Sequence, residues 1–212
     1  MGKLVSLVSR FILYVQQTKS HLYDKISSKV CKEYLKRQGC VCPDFKKLQI
    51  NGRPVLQIHP ESSLVFGKEV IINSGNVRCF DNGLCSKIVL CKNARLQIGD
   101  FSGISNTLIY CKKSISIGNH VNIGAGTLIF DSNFHSTNWE DRIDRHVDIK
   151  NAKNSPIIIE DLVFIGARCI IGKGVTIGKH SIIAAGSVVV NDIPADCIAG
   201  GNPCRVIKVL NQ

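Results

Sequence analysis

A six-residue step governs the hydrophobic pattern of the C-terminal half of the chain. Ile159, Ile165, Ile171, Ile177, Ile183 and Val189 recur at that spacing. The residue that follows is often Gly166, Gly172, Gly178 or Ala184, and the fifth position of each hexad carries Val163, Cys169, Val175, Ser181 or Ser187, all small or β-branched. A period of six fits neither an amphipathic helix nor an alternating strand that runs on, so the chain must turn a corner in every hexad. Three hexads to a circuit would return the chain above itself, stacking strands about 4.8 Å apart with the first-position aliphatics in a narrow interior. Ile117, Ile123 and Ile129, with Gly118 and Gly124, form a second run, and Ile98-Gly99 and Phe66-Gly67 begin weaker ones. The stretch 72–97 is irregular and carries no coil assignment. A sandwich or barrel has no fixed six-residue step, so the spacing predicts a solenoid, although it does not set the hand of the coil.

Two regions depart from this texture. Residues 3–37 read as a helix, with Leu4, Leu7, Val8, Phe11, Ile12, Tyr14 and Val15 on one apolar face and Lys or Arg scattered through the rest. Charge interrupts it too often for a bilayer span, which needs about 20 apolar residues. Three roles remain open: packing on the main domain or a neighbouring subunit, lying on an anionic membrane surface, or binding a partner. The second departure is residues 131–155, DSNFHSTNWEDRIDRHVDIKNAKNS, a polar and charged stretch that interrupts the hexads. There the chain must leave the coil and return, and long excursions from a rigid scaffold usually carry function.

Composition narrows the classes. With 212 residues, one sizeable core is the expectation. Of the net charge of +11, residues 1–48 supply +7. No zinc-finger or RNP-type pattern accompanies this charge, so nucleic acid is not the expected partner. Ten cysteines would suggest disulfides in a small secreted protein, yet no apolar stretch with a small-residue cleavage site opens the chain, and reduced thiols in the cytoplasm are expected. Cys40 and Cys42, one residue apart, lack zinc-ligand spacing, and no metal is expected. Cys111 and Cys169 lie in or beside apolar runs and read as small hydrophobes.

His135 is the leading candidate for chemistry, because imidazole can accept a proton near neutral pH and return it within one cycle. It lies close to the exit from the repeat, with Asp131 and Asn133 near enough in sequence to orient a ring nitrogen. A solvated loop histidine is the plain alternative. His146 reads as surface, and Trp139 either covers a bound ring or pins the loop.

From about Ile98 to Lys208 the chain resembles the hexapeptide-repeat acyltransferases, especially the maltose and galactoside O-acetyltransferases and related polysaccharide O-acetyltransferases. The likeness is strongest in PIIIEDLVFIGARCIIGKGVTIGKHSIIAAGSVVVNDIPADCIAGGNPCRVIK. It implies a left-handed parallel β-helix, mainly β, assembled as a homotrimer with active sites between subunits. The chain would then divide into a basic amphipathic helical segment (1–48), a β-helix domain (49–202) with an extruded loop (131–155), and a short C-terminal helix (203–212). FDSNFHS resembles the family's catalytic histidine motif and implies His135 as the base in direct acetyl transfer from acetyl-CoA. Ala167 and Ala185 match positions flanking the pantetheine arm, and Arg205 and Lys208 match basic positions near the nucleotide phosphates. Val190 and Asn191 replace a frequent Thr-Lys pair at the cofactor, Phe164 stands where some relatives have Trp, and Asn106 lies near a substrate-binding Asn.

The resulting expectation is acetyl-CoA-dependent O-acetylation of a sugar hydroxyl, in bacterial surface-polysaccharide synthesis, in the cytoplasm or at the inner face of the membrane. Serine or antibiotic acetyltransferases of the same fold and a non-catalytic β-helix are the rivals.

Overall fold

The computed structural model describes residues 25–75 and 85–210. Within them the chain visits three sheets in rotation. The first holds Gln49–Gly52, Ile71–Ser74, Gly103–Ser105, Asn122–Ile123, Phe164–Ile165, Ile182–Ile183 and Cys197–Gly200. The second holds Val55–Ile58, Lys87–Leu90, Leu108–Cys111, Leu128–Phe130, Ile170–Ile171 and Val188–Val189. The third holds Ser63–Phe66, Arg95–Ile98, Ser114–Ile117, Ile157–Ile159 and Thr176–Ile177. Pairing between successive coils is parallel, as a solenoid requires.

The hexads fill the interior. Ile159, Ile165, Ile171, Ile177, Ile183 and Val189 are all fully or almost fully buried, and so are the fifth-position residues Val163, Cys169, Val175, Ser181 and Ser187 at the corners. The two serines are satisfied by backbone carbonyls, Ser181 Oγ donating to Pro194 O at 2.6 Å and Ser187 Oγ to Ala184 O at 2.5 Å. Burial raises the thiol pKa of Cys111 and Cys169, so both stay neutral and pack as hydrophobes.

Register explains why the repeat is legible only late in the chain. Ile159 faces Ile177, Ile165 faces Ile183 and Ile171 faces Val189, so the circuits between Ile159 and Val189 are three hexads and nothing more, and only the last, in which Ile177 faces Ile193 and Ile183 faces Ala199, is shorter. Earlier circuits are longer and unequal: Ile104 faces Ile123, Ile109 faces Ile129 and Ile50 faces Ile72, with the excess taken up in the corners. The irregular stretch 72–97 nevertheless contributes to all three sheets, through Ile71–Ser74, Lys87–Leu90 and Arg95–Ile98.

Of the helix expected over 3–37, residues 25–37 are helical and 1–24 lie outside the described residues. This helix seals one end of the coil. Leu35 is completely buried, Cys31 and Tyr34 pack against the core, and the Tyr34 hydroxyl accepts from Ile58 N at 3.3 Å. The C-terminal helix expected over 203–212 is instead a strand: Arg205–Val209 folds back antiparallel on Cys197–Gly200. Val206, Ile207 and Val209 are β-branched, and the last parallel strand offers an open hydrogen-bonding edge, so pairing wins over helix formation.

Gly166 lies where one coil presses on the next. A β-carbon there would sit 2.5 Å from Ala185 N and 2.8 Å from Ala185 Cα, backbone that cannot swing aside. Gly166→Ala is expected to lower stability by about 1–3 kcal/mol, the usual cost of overpacking. Thermal unfolding read by circular dichroism checks this, and an unchanged midpoint would show that the coils can separate at little cost.

Candidate active site

The loop leaves the coil after Phe130, at the edge between the second and third sheets, and re-enters at Ile157. Its neck is clamped. Ser132 and Asn154 form an antiparallel bridge, Asn133 N donates to Lys153 O at 3.0 Å, and Ser155 N donates to Asp131 O at 2.9 Å. Asp131 is fully buried, and its carboxylate accepts from three consecutive backbone amides of the preceding coil: Lys112 at 2.7 Å, Lys113 at 2.7 Å and Ser114 at 2.8 Å. It anchors the exit of the loop to the corner below. With its acceptor capacity committed there, it does not orient His135 as expected from the sequence.

The carboxylate that does is Asp148, near the far end of the loop. His135 Nδ1 lies 2.6 Å from Asp148 Oδ2, and Ser136 N donates to Asp148 Oδ1 at 2.7 Å. The His135 side chain is 68% exposed and that of Asp148 only 8%. Asp148 reaches this place on the short helix Arg145–Asn151, whose N-cap Asp144 accepts from His146 N and Val147 N. It is the one buried residue of that helix, which turns its other side chains outward. The rest of the loop braces the pair. Ser136 Oγ donates to Asp141 Oδ2 at 2.6 Å, Asn151 Nδ2 to the same oxygen at 2.9 Å, and Arg142 Nη1 to Ser136 O at 2.7 Å.

Hydrogen bonding fixes the charge on these carboxylates. His135 above all, with Ser136 N, holds the Asp148 carboxyl below its ordinary range, and Ser136 and Asn151 do the same for Asp141. Both pKa values are lower folded than unfolded. Their contribution to loop stability is therefore present above the ordinary carboxylate range and is lost as pH falls through the depressed values. Asp148 stays ionised at neutral pH, so it can orient imidazole and balance imidazolium. The free nitrogen, Nε2, is the one available to take a proton.

Beside His135 stands an aromatic cluster. Phe134 has a left-handed backbone (φ 62°), unusual for a bulky residue, and its ring lies 5.0 Å from Tyr110 and 5.6 Å from Phe130, with Lys112 Nζ 5.8 Å from its centroid. Burial, with Cys91 beside it, pushes the Tyr110 phenol up to about 12, keeping it neutral. Trp139 is 65% exposed on the loop surface, and His146 is exposed as expected. Asn106, in contrast, is buried and commits its side chain to Gly75, accepting from Gly75 N at 2.8 Å, so it serves the corner and not an acceptor.

The positions matched to the donor lie elsewhere. Ala167 and Ala185 are exposed, one coil apart, at the edge between the first and second sheets, with Gly186 N donating to Ala167 O at 2.9 Å. Asn191 is exposed at the edge between the second and third sheets, two circuits beyond the loop exit. Arg205 and Lys208 are exposed on the final strand, where Arg205 Nη1 donates to Cys204 O at 2.9 Å. Phe164 faces outward on the first sheet. Among the described residues no three His, Cys, Asp or Glu side chains are grouped so as to hold a metal ion, and no helix is long and apolar enough to cross a membrane.

A family model described as the hexapeptide repeat of succinyl-transferase matches residues 156–190. In sequence, the chain is 50% identical over 58 residues to a 2,3,4,5-tetrahydropyridine-2,6-dicarboxylate N-acetyltransferase of Staphylococcus aureus (strain Newman), an alignment covering 27% of this chain and 24% of that protein. The chain thus spans about a quarter of the length of this curated relative. In structure it is similar to AntD, an N-acyltransferase from Bacillus cereus solved with dTDP and 3-hydroxybutyryl-CoA, at TM-score 0.63 and 24% identity over 85% of this chain and 88% of that one. It is also similar to a maltose O-acetyltransferase from Clostridium difficile 630, at TM-score 0.53 and 23% identity over 92% and 88% of the two chains. At such identities the likeness speaks for the fold. With its buried hexads and its three-sided parallel coil, the chain shares the left-handed β-helix fold of these acyltransferases, and over residues 156–190 it carries their hexapeptide repeat.

Proposed function

We propose that the chain transfers an acetyl group from acetyl-CoA to a hydroxyl of a sugar, with His135 as general base and Asp148 as its positioning residue. The observation that carries this reading is the 2.6 Å contact between His135 Nδ1 and the buried Asp148 carboxylate on a loop expelled from the coil. Nε2 of His135 takes the hydroxyl proton as the acceptor oxygen attacks the thioester carbonyl. The carbon–sulfur bond then breaks, the new ester is released, and Nε2 returns the proton to the departing sulfur. Asp148 remains ionised throughout and stabilises the transient imidazolium. An alcohol gains more from such a base than an amine, which is already nucleophilic when neutral. The half-buried rings of Tyr110, Phe130 and Phe134, with exposed Trp139 on the same loop, suit stacking against a pyranose.

The small, exposed Ala167 and Ala185 leave room for a pantetheine arm along their edge, and Arg205 and Lys208 supply positive charge for the nucleotide phosphates. That edge is not the one from which the His135 loop departs. A homotrimer resolves the separation by setting the loop of one subunit against the Ala167 and Ala185 edge of the next. Exposed apolar side chains on the loop, Trp139 and Ile143 (79% exposed) among them, support burial against a second copy. Reduced thiols and a thioester donor fit a cytoplasmic reaction. A second reading, N-acylation of an amino sugar or amino acid, draws on the N-acyltransferases among the similar proteins.

Thiol release from acetyl-CoA in the presence of paired hydroxyl and amino sugars, nucleotide sugars and amino acids separates the two readings; transfer confined to amines would overturn the O-acetyl assignment. His135→Ala should lower kcat by about 10²–10⁴ with the fold intact. Asp148→Asn should lower kcat by about a hundredfold or more with little change in KM for the donor, and a variant as active as the parent would remove Asp148 from the mechanism. Co-expression of His135→Ala with Ala185→Trp tests the trimer site. Each alone should be inactive, whereas mixed assemblies regain activity if His135 and Ala185 of one site come from different subunits; no recovery places the site within one chain.

A further inference from the structure

The helix over 25–37 carries charge that the coil does not use. Lys25, Lys29, Lys32 and Lys36 recur at steps of four, three and four, which at about 100° per residue confines them to roughly 60° of the helix circumference. With Ser28, Glu33, Phe45 and Lys46 they line a groove of about 360 Å³. Lys36 Nζ lies 5.3 Å from the centroid of Phe45, and Glu33 is engaged by Arg37 at 3.6 Å. Like charges one helical turn apart oppose helix formation, so this stripe costs stability unless an anion sits over it.

Two further observations indicate what kind of anion. Ile26 and Val30 are exposed on the flank of the stripe, pointing away from the face where Leu35 is buried. The sequence immediately before the helix continues with Leu4, Leu7, Val8, Phe11, Ile12 and Val15 interspersed with Lys3, Arg10 and Lys19. Basic residues beside exposed apolar ones suit a surface that is anionic outside and apolar just beneath, which a soluble phosphate compound is not. We propose that the lysine groove of the 25–37 helix docks on the phosphate headgroups of an anionic lipid surface, with Ile26 and Val30 entering the headgroup layer. This docking is independent of the acyl-transfer reading and holds the end of the coil opposite the Arg205–Val209 strand at the membrane.

The test uses the full chain and sedimentation with vesicles of phosphatidylcholine containing about one third phosphatidylglycerol. Binding should be strong at low salt, fall as salt rises, and be weak on phosphatidylcholine alone. Each lysine near such a surface contributes roughly fivefold, so Lys29→Gln/Lys32→Gln/Lys36→Gln should weaken binding at least tenfold. Lys29→Arg/Lys32→Arg/Lys36→Arg should restore it, and Lys68→Gln/Lys153→Gln/Lys179→Gln, with the same loss of charge elsewhere, should bind as the parent does. Circular dichroism confirms that the variants are folded. Equal loss in both glutamine variants, undiminished binding by the first, or binding of pyrophosphate without binding of vesicles would each overturn the proposal.

Discussion

Backbone hydrogen bonding between successive coils is the constraint on which the rest of the molecule depends. Each strand is only two to four residues long in most coils, too short to be stable alone, so register must be kept from one circuit to the next. Corners carry much of this burden. Phe101, His120, Leu162 and His180 all adopt left-handed backbone, and each donates its amide to a carbonyl one coil back. Side chains reinforce the same edge: Asp100 Oδ1 accepts from Lys68 N, Asn119 Oδ1 from Asp100 N and Asp161 Oδ1 from Asn119 N. A corner that loses its ladder would release the strands on either side of it.

The loop tests this constraint and leaves it intact. Ile117 faces Ile159, Ile123 faces Ile165 and Ile129 faces Ile171, the same separation in all three sheets, so the excursion is inserted without shifting a single inward position. What makes that tolerable is the neck. Asp131, bonded to three amides of the coil beneath, fixes the exit, and Ser155 N on Asp131 O fixes the return. Burying a carboxylate is costly unless its oxygens are well bonded, and here they are. A rigid base of this kind lets a loop hold His135 and Asp148 in a fixed relation while leaving the imidazole exposed.

The solenoid is readable from sequence because its circuits between Ile159 and Val189 are three whole hexads, with the interior residue recurring every sixth position. The earlier circuits bury the same aliphatics, Ile72, Ile88 and Leu96 included, but their corners vary in length and erase the period. The final strand eluded the pattern for a different reason. Arg205–Val209 is exposed along its length and alternates nothing, so only the open edge of Cys197–Gly200 tells the chain what to form there.

The histidine was equally legible, since it lies just beyond the last interior residue before the hexads stop. Its partner was not. Asp131, Asp141, Asp144 and Asp148 all lie within reach of His135 along the loop, and sequence distance favours Asp131. In the folded chain each has a separate role. Asp131 grips the coil, Asp144 caps the helix, Asp141 holds Ser136 and Asn151, and Asp148 faces the imidazole. The choice follows from helix geometry. Asp148 lies one turn beyond the N-cap and on the inward side, so the carboxylate that serves the base is the one the short helix turns toward it. A sequence that placed the cap one residue later would rotate a different side chain toward His135, which makes the capping aspartate as much a determinant of the site as the pair it aligns.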